Sequence, residues 1–152
     1  MTKTKKKPTT AQLRKAFEKA TKPSQILAIA LRDLRLTERN KRFVVNMNHW
    51  MLNLDGRCNV CLAGAVMANR YPNKCKAAGW TSTPEDFKGK DDTPCKLDAL
   101  DVLRVGNVKT AAAFMGVPTI LKSRIMPSYD HSEPGWWKAV RQLLADLREA
   151  GE

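Results

Sequence analysis

Residues 134–151, PGWWKAVRQLLADLREAG, show the clearest helical periodicity in the chain. Their apolar residues recur every three or four positions and therefore share one face of an α-helix. Ser132 is the predicted N-cap of this helix. An apolar stripe of this width must be buried against other elements, and the rest of the chain offers mainly helices. The residues of the stripe are Trp136, Trp137, Val140, Leu143, Leu144 and Leu147.

Two further amphipathic helices are predicted near the N-terminus. Thr9 or Thr10 is suited to cap the first, in which Leu13, Phe17 and Ala20 fall on one face. Pro23 and Ser24 open the second, which could continue through residues 37–43. Its apolar stripe consists of Leu27, Ala30, Leu31 and Leu34.

The middle of the chain predicts more helices around one ambiguous segment. Residues 43–54 could be helical or extended, 43–47 could pair in a small strand, and Asp55-Gly56 is a turn signal. Residues 58–70, CNVCLAGAVMANR, predict a buried helix with Cys58 and Cys61 on one side. Thr93-Pro94 and Asn107 are predicted to start two later helices.

We therefore expect an all-α protein, or an α-dominated one with at most one small hairpin. Residues 1–8 form a flexible basic tail, and residues 9–152 form a single bundle-like helical domain. The predicted core contains Leu27, Leu31, Leu34, Leu62, Val66, Leu100, Leu103, Trp137, Val140, Leu144 and Leu147.

Positive charge is concentrated in the first third of the chain. The net charge is +12, and residues 1–50 hold 13 Lys or Arg against Glu18, Asp33 and Glu38. Residues 51–100 and 101–152 each hold seven cations against six carboxylates. Such asymmetry is typical of a surface that binds nucleic acid, an anionic membrane or an acidic protein.

The basic third supplies the predicted binding residues. Arg32, Arg35, Arg39 and Arg42 are spaced to form one stripe if the second helix runs that far, and guanidinium groups suit phosphate recognition. The alternative is a solvated charged face. The full predicted set is Lys3, Lys5, Lys6, Lys7, Arg14, Lys15, Arg32, Arg35, Arg39, Lys41 and Arg42.

The four cysteines are predicted to be structural thiols. A redox pair at Cys58 and Cys61 lacks the usual preceding strand, and a zinc site would have to recruit distant ligands from Cys75, Cys95 or His49. Two small apolar thiols suit a tight helix–helix contact better. The chain contains only two histidines and no Gly-rich phosphate loop. We therefore expect no metal, no cofactor and no catalytic residue.

Export and membrane insertion are also not predicted. No apolar run approaches the ~20 residues of a membrane span. The N-terminal lysines precede no apolar segment of the kind that a secretory signal requires. The expected location is the cytoplasm, and no membrane partner is expected.

Residues 106–117, GNVKTAAAFMGV, resemble the first helix and turn of the helix-turn-helix in DNA-binding proteins of the factor-for-inversion-stimulation class. The paired alanines would let two helices cross, and Gly116 would supply the turn. The resemblance implies a short recognition helix at Thr119–Ile125 and a role as a DNA-binding regulator. The alternative is a helical hairpin with ordinary caps.

Residues 56–65 and 99–106, together with the terminal helix, resemble a group of small uncharacterised bacteriophage proteins. The resemblance implies an accessory role inside a bacterial host cell, such as inhibition of host machinery or counter-defence, and it transfers no residue role. The expected function is non-enzymatic binding of a nucleic acid, or of a host complex that handles nucleic acid. The second alternative, besides the helix-turn-helix regulator, is a protein-only inhibitor that docks on an acidic host surface.

Overall fold

The computed structural model describes residues 5–46, 49, 51–81 and 135–151. These residues form helices α1 (Thr10–Lys19), α2 (Pro23–Glu38), α3 (Leu62–Arg70), α4 (Pro72–Ala77) and α5 (Trp136–Glu149). Three short strands, β1 (Phe43–Val45), β2 (Met51–Leu54) and β3 (Arg57–Val60), lie between α2 and α3. None of the described helices combines the length and the apolar character needed to cross a bilayer.

A three-stranded mixed sheet shows that the all-α prediction is wrong, as is the allowance for a single hairpin. The strand order is β1-β3-β2, with β1 parallel and β2 antiparallel to β3. Phe43 is in register with Cys58, and Met51 with Val60. The described residues are therefore mostly helical, but the fold is an α/β mixture.

The Asp55-Gly56 turn explains why the strand replaces the predicted helix. Both residues have left-handed backbone angles, φ 49° at Asp55 and φ 78° at Gly56. Two successive left-handed residues make the tight turn that matches the twist of a β-hairpin, so the chain leaves the turn as a strand. Cys58 lies on β3 and Cys61 is the N-cap of α3, so the prediction that they share one side of a helix is wrong.

Capping residues set the bounds of the first two helices. Thr9 caps α1 reciprocally: its hydroxyl accepts from the Gln12 N–H at 3.2 Å, and its N–H donates to Gln12 Oε1 at 2.9 Å. Helix α2 begins at Pro23 as predicted, but it ends at Glu38 and does not run through residue 43. Arg39 is the C-cap, and the chain then turns at Asn40, whose Oδ1 accepts a hydrogen bond from the Arg42 N–H at 3.0 Å.

The core forms where α2 packs against α3, α5 and β1. Burial of Leu27, Leu31, Leu34, Leu62, Val66, Val140 and Leu147 confirms seven of the predicted core positions. Trp137 and Leu144 are only half-buried, because α5 turns Trp136 and Leu143 into the core instead. The terminal helix α5 has Gly135 as its N-cap, so the prediction that Ser132 caps it is wrong. The predicted core residues Leu100 and Leu103 lie outside the described residues, as do the helix starts at Thr93-Pro94 and Asn107 and the helix-turn-helix segment.

Candidate polyanion-binding surface

A buried ion pair fixes the inner face of α2. Arg70 binds Asp33 through two contacts, Nε to Oδ2 at 2.6 Å and Nη2 to Oδ1 at 3.0 Å. Both side chains are almost fully excluded from solvent. Arg70 also donates from Nη1 to the carbonyl oxygen of Leu13, so one guanidinium joins α1, α2 and α3.

Neighbouring polar groups complete this network. Asn69 Nδ2 donates to the Ala65 carbonyl at 2.7 Å and lies 3.1 Å from Thr37 Oγ1, while the Thr37 hydroxyl donates to the Asp33 carbonyl at 2.8 Å. Burial raises the pKa of the Asp33 carboxyl, and the contact with Arg70 opposes that rise. The sequence alone leaves Asp33 among the acids of the basic third. Its spacing, seven residues after Ile26 and three after Ala30, places it beside buried residues of α2 and is the signal that it is buried.

The burial of Asp33 leaves the surface of the basic third more positive than the sequence suggests. Every Lys and Arg in residues 5–46 is exposed, whereas the only exposed carboxylates there are Glu18 and Glu38. Within this range the twelve exposed cations therefore face two exposed carboxylates. The cations are Lys5, Lys6, Lys7, Arg14, Lys15, Lys19, Lys22, Arg32, Arg35, Arg39, Lys41 and Arg42; the predicted Lys3 lies outside the described residues.

The predicted arginine stripe is only partly helical. Arg32 and Arg35 lie on the solvent side of α2, and Arg39 is its C-cap. Arg42 lies in the turn before β1, so its predicted place on the same helical stripe is wrong. The side chains of Arg32 and Arg39 form no hydrogen bond, ion pair or ring contact with another described residue. Their guanidinium groups are available to a ligand.

Arg35 is held by its neighbours and joins α2 to α5. Its Nη1 lies 3.6 Å from Glu38 Oε2, and its Cζ lies 3.7 Å from the centre of the Trp137 ring. Arg141 Cζ lies 5.9 Å from the same ring centre. The fold thus adds Arg141, from a nearly neutral third of the sequence, to the basic surface. No signal in the sequence indicated this neighbour.

Arg42 is held by a second tryptophan. Its Cζ lies 5.1 Å from the centre of the Trp80 ring, which makes an edge-to-face contact with Phe43 at 5.7 Å. Trp80 has a left-handed backbone, φ 58°, supported by its N–H donating to the Cys75 carbonyl at 2.8 Å. A cavity of about 50 Å³ beside this contact is also bordered by Asn53 and Cys58.

The described cysteines, Cys58, Cys61 and Cys75, are buried free thiols. Burial raises the pKa of Cys58 to about 11 and that of Cys75 to about 12. In the part of the chain that the structure describes, no three His, Cys, Asp or Glu side chains are grouped to hold a metal ion. Thiols that stay protonated at neutral pH are poor nucleophiles, so Cys58 and Cys75 contribute packing. Cys95 lies outside the described residues.

The chain matches no protein-family model, no curated protein and no solved structure.

Proposed function

We propose that this protein is a non-enzymatic accessory protein that binds nucleic acid through its basic N-terminal third. Its role would be to modulate or inhibit a host complex that handles nucleic acid. The resemblance to small bacteriophage proteins supports the accessory role, and the charge of the surface supports the partner class.

The observation that carries the proposal is the twelve-to-two excess of exposed cations over exposed carboxylates in residues 5–46. Such a surface gains affinity for a phosphate backbone by releasing the counterions condensed on it. Fixed acids would weaken this effect, and Asp33 is removed from the surface by its pairing with Arg70. Lys5, Lys6 and Lys7 extend the surface ahead of α1.

The arginines suit phosphate contacts because a guanidinium can donate two parallel hydrogen bonds to one phosphate group. Arg32 on the solvent side of α2 and Arg39 at its C-cap are both exposed, about two helical turns apart. Arg35 lies between them and is braced on Trp137, so it loses little side-chain freedom on binding.

A gel-shift titration with generic duplex DNA and RNA tests the proposal. Four to six phosphate contacts predict that the affinity falls by roughly two to three decades between 50 and 200 mM salt. The quadruple variant R32A/R35A/R39A/R42A is expected to lose most of that salt dependence. Absence of binding at 50 mM salt would overturn the proposal.

A second variant set tests the helix-turn-helix alternative. K109A/K122A/R124A removes the cations of residues 106–125 and is expected to leave binding almost unchanged. If this set abolishes binding while the quadruple variant binds normally, the protein is a helix-turn-helix regulator instead. Capture of an acidic host protein from nuclease-treated lysate, with no affinity for DNA or RNA, would favour the protein-only inhibitor.

A further inference from the structure

A small notch with cationic walls lies between α1 and the start of α4. Helix α1 contributes Thr10 and Arg14 to it, and the chain from Arg70 to Lys74 forms the opposite wall. Its volume is about 40 Å³. A buried water needs roughly 10–15 Å³ of such space, so the notch has room for about three waters. This space can hold one phosphate group.

Two exposed cations of the notch lie around the ring of Tyr71. Arg14 Cζ lies 5.8 Å and Lys74 Nζ 5.7 Å from the centre of the Tyr71 ring. The ring is itself buried and makes an edge-to-face contact with Phe17 at 6.4 Å. The cations therefore stand on a rigid support, which lowers the conformational entropy lost when they bind a ligand.

The described lining of the notch contains no negatively charged side chain. It also includes Arg70, whose positive charge is balanced by the buried Asp33 carboxylate. None of the described residues that line the notch is acidic. Two described carboxylates contact residues of the notch from outside its lining: Asp33 pairs with Arg70, and Glu18 Oε1 accepts a hydrogen bond from the Tyr71 hydroxyl at 3.4 Å.

Two like charges around one concave site repel each other, and the low-dielectric wall concentrates their potential. A single anion between them removes that repulsion. The notch is also lined by Thr10 and Asn73, whose hydroxyl and side-chain amide can donate hydrogen bonds to phosphate oxygens.

We propose that this notch is a phosphate-binding site formed by Arg14 and Lys74, with Thr10 and Asn73 as neutral donors. The inference rests on the proposed function insofar as the phosphate belongs to a nucleic-acid backbone. It adds Lys74, a residue outside the basic third, to the binding surface. A free phosphate-bearing small molecule would supply the same chemistry, and the experiment below separates the two sources.

A matched neighbour on the same helix provides the test. K74Q and K76Q each remove one charge from α4, but only Lys74 lines the notch. Loss of one charge-assisted contact is expected to weaken binding of a generic duplex roughly tenfold in K74Q, and R14Q on the opposite wall is expected to do the same. The matched K76Q variant is expected to stay within about twofold of the wild type, since it loses only the general field.

Inorganic phosphate gives an independent readout on the full chain. Its titration is expected to shift the amide resonances of Thr10, Asn73 and Lys74 in the wild type and in K76Q, but not in K74Q. Thermal melting of each variant within about 2 °C of the wild type would show that these exposed substitutions leave the fold intact.

The outcomes separate the notch from the proposed function. Equal losses of duplex affinity in K74Q and K76Q, with no phosphate-induced shifts, would overturn the notch while leaving the basic surface as a DNA binder. Phosphate shifts that disappear in K74Q, with no duplex binding by any variant, would support the site for a free phosphate compound and overturn the proposed function.

Discussion

The two faces of helix α2 use arginine side chains in opposite ways. On the inner face Asp33 binds the buried Arg70, whereas on the outer face Arg32 and Arg39 are exposed and their side chains form no hydrogen bond, ion pair or ring contact with a described residue. The same guanidinium chemistry thus stabilises the fold on one side and is proposed to bind a ligand on the other. What distinguishes the faces is the access of water, because a buried charge without a partner is far more costly than a solvated one.

The largest effect is expected from breaking the inner pair. Arg70→Ala leaves the Asp33 carboxylate buried without its partner and removes the bond to the Leu13 carbonyl. The free energy of unfolding should fall by about 3–5 kcal/mol, measured by urea denaturation. The double variant Asp33→Leu/Arg70→Met removes both charges and should recover most of that loss. A single variant as stable as the wild type would contradict the structural role of the pair.

Two pairs of outer arginines should separate binding from folding. R32Q/R39Q should lower the log–log salt slope of DNA binding by about 1.8, two contacts at about 0.9 each, without changing the melting temperature. R35Q/R42Q should also weaken binding, and it should destabilise the fold by about 1–2 kcal/mol because both side chains stack on tryptophans. If R32Q/R39Q unfolds at a lower temperature than R35Q/R42Q, the proposed division between free and tryptophan-bound arginines is wrong.

The buried thiols predict a loss of stability in alkali. Burial raises the pKa of Cys58 to about 11 and that of Cys75 to about 12, from an ordinary value of 9.0. A raised folded-state pKa means that the stabilisation is complete below pH 9 and is lost as the pH rises from 9 towards 11 and 12. The urea midpoint should therefore fall across this window.

A matched variant isolates the thiol contribution to this alkaline effect. Cys58→Ser keeps a donor for the Trp80 carbonyl, which the Cys58 thiol contacts at 3.4 Å, but its hydroxyl does not titrate. The fall in the urea midpoint above pH 9 should be shallower in this variant. An identical pH dependence would show that other groups, such as lysines, cause the alkaline loss.

The smallest effect is expected at the N-terminus of α1. Thr9→Ala removes the side-chain oxygen that caps the helix and should destabilise the protein by about 1 kcal/mol. Thr10→Ala, one residue later, removes no cap and should change the melting temperature by less than half as much. Equal effects would mean that the capping residue is not Thr9.

Local signals predicted the helices better than they predicted the sheet. Helices are encoded by residues close together in the sequence, such as the cap Thr9, the helix-opening Pro23 and the apolar stripe from Trp136 to Leu147. Helices α1, α2 and α5 are found at these positions. The strand Arg57–Val60 has only one local signal, the Asp55-Gly56 turn before it, because its own residues also fit the start of a buried helix. It is a strand because the turn before it fixes its direction and because Phe43–Val45 and Met51–Leu54 are available to pair with it.

The candidate site also has a part that the sequence predicts and a part that it does not. The exposure of the twelve basic residues in 5–46 follows from the cost of burying a charge, and the sequence places them together. The partners that orient them come from distant positions. Trp137 braces Arg35, Trp80 braces Arg42, and Tyr71 holds Arg14 near Lys74. No spacing rule relates residues about 40 to 100 positions apart.

The sequence by itself determined the positive first third, the amphipathic helices α1, α2 and α5, and the starting residues of α1 and α2, because charge, helical periodicity and capping depend on neighbours along the chain. Only the tertiary structure decided that Asp33 leaves the surface, that Arg141 and Lys74 join it, and that residues 57–60 are extended. Each of these outcomes depends on burial and pairing between distant segments. Those interactions form only when the chain has folded.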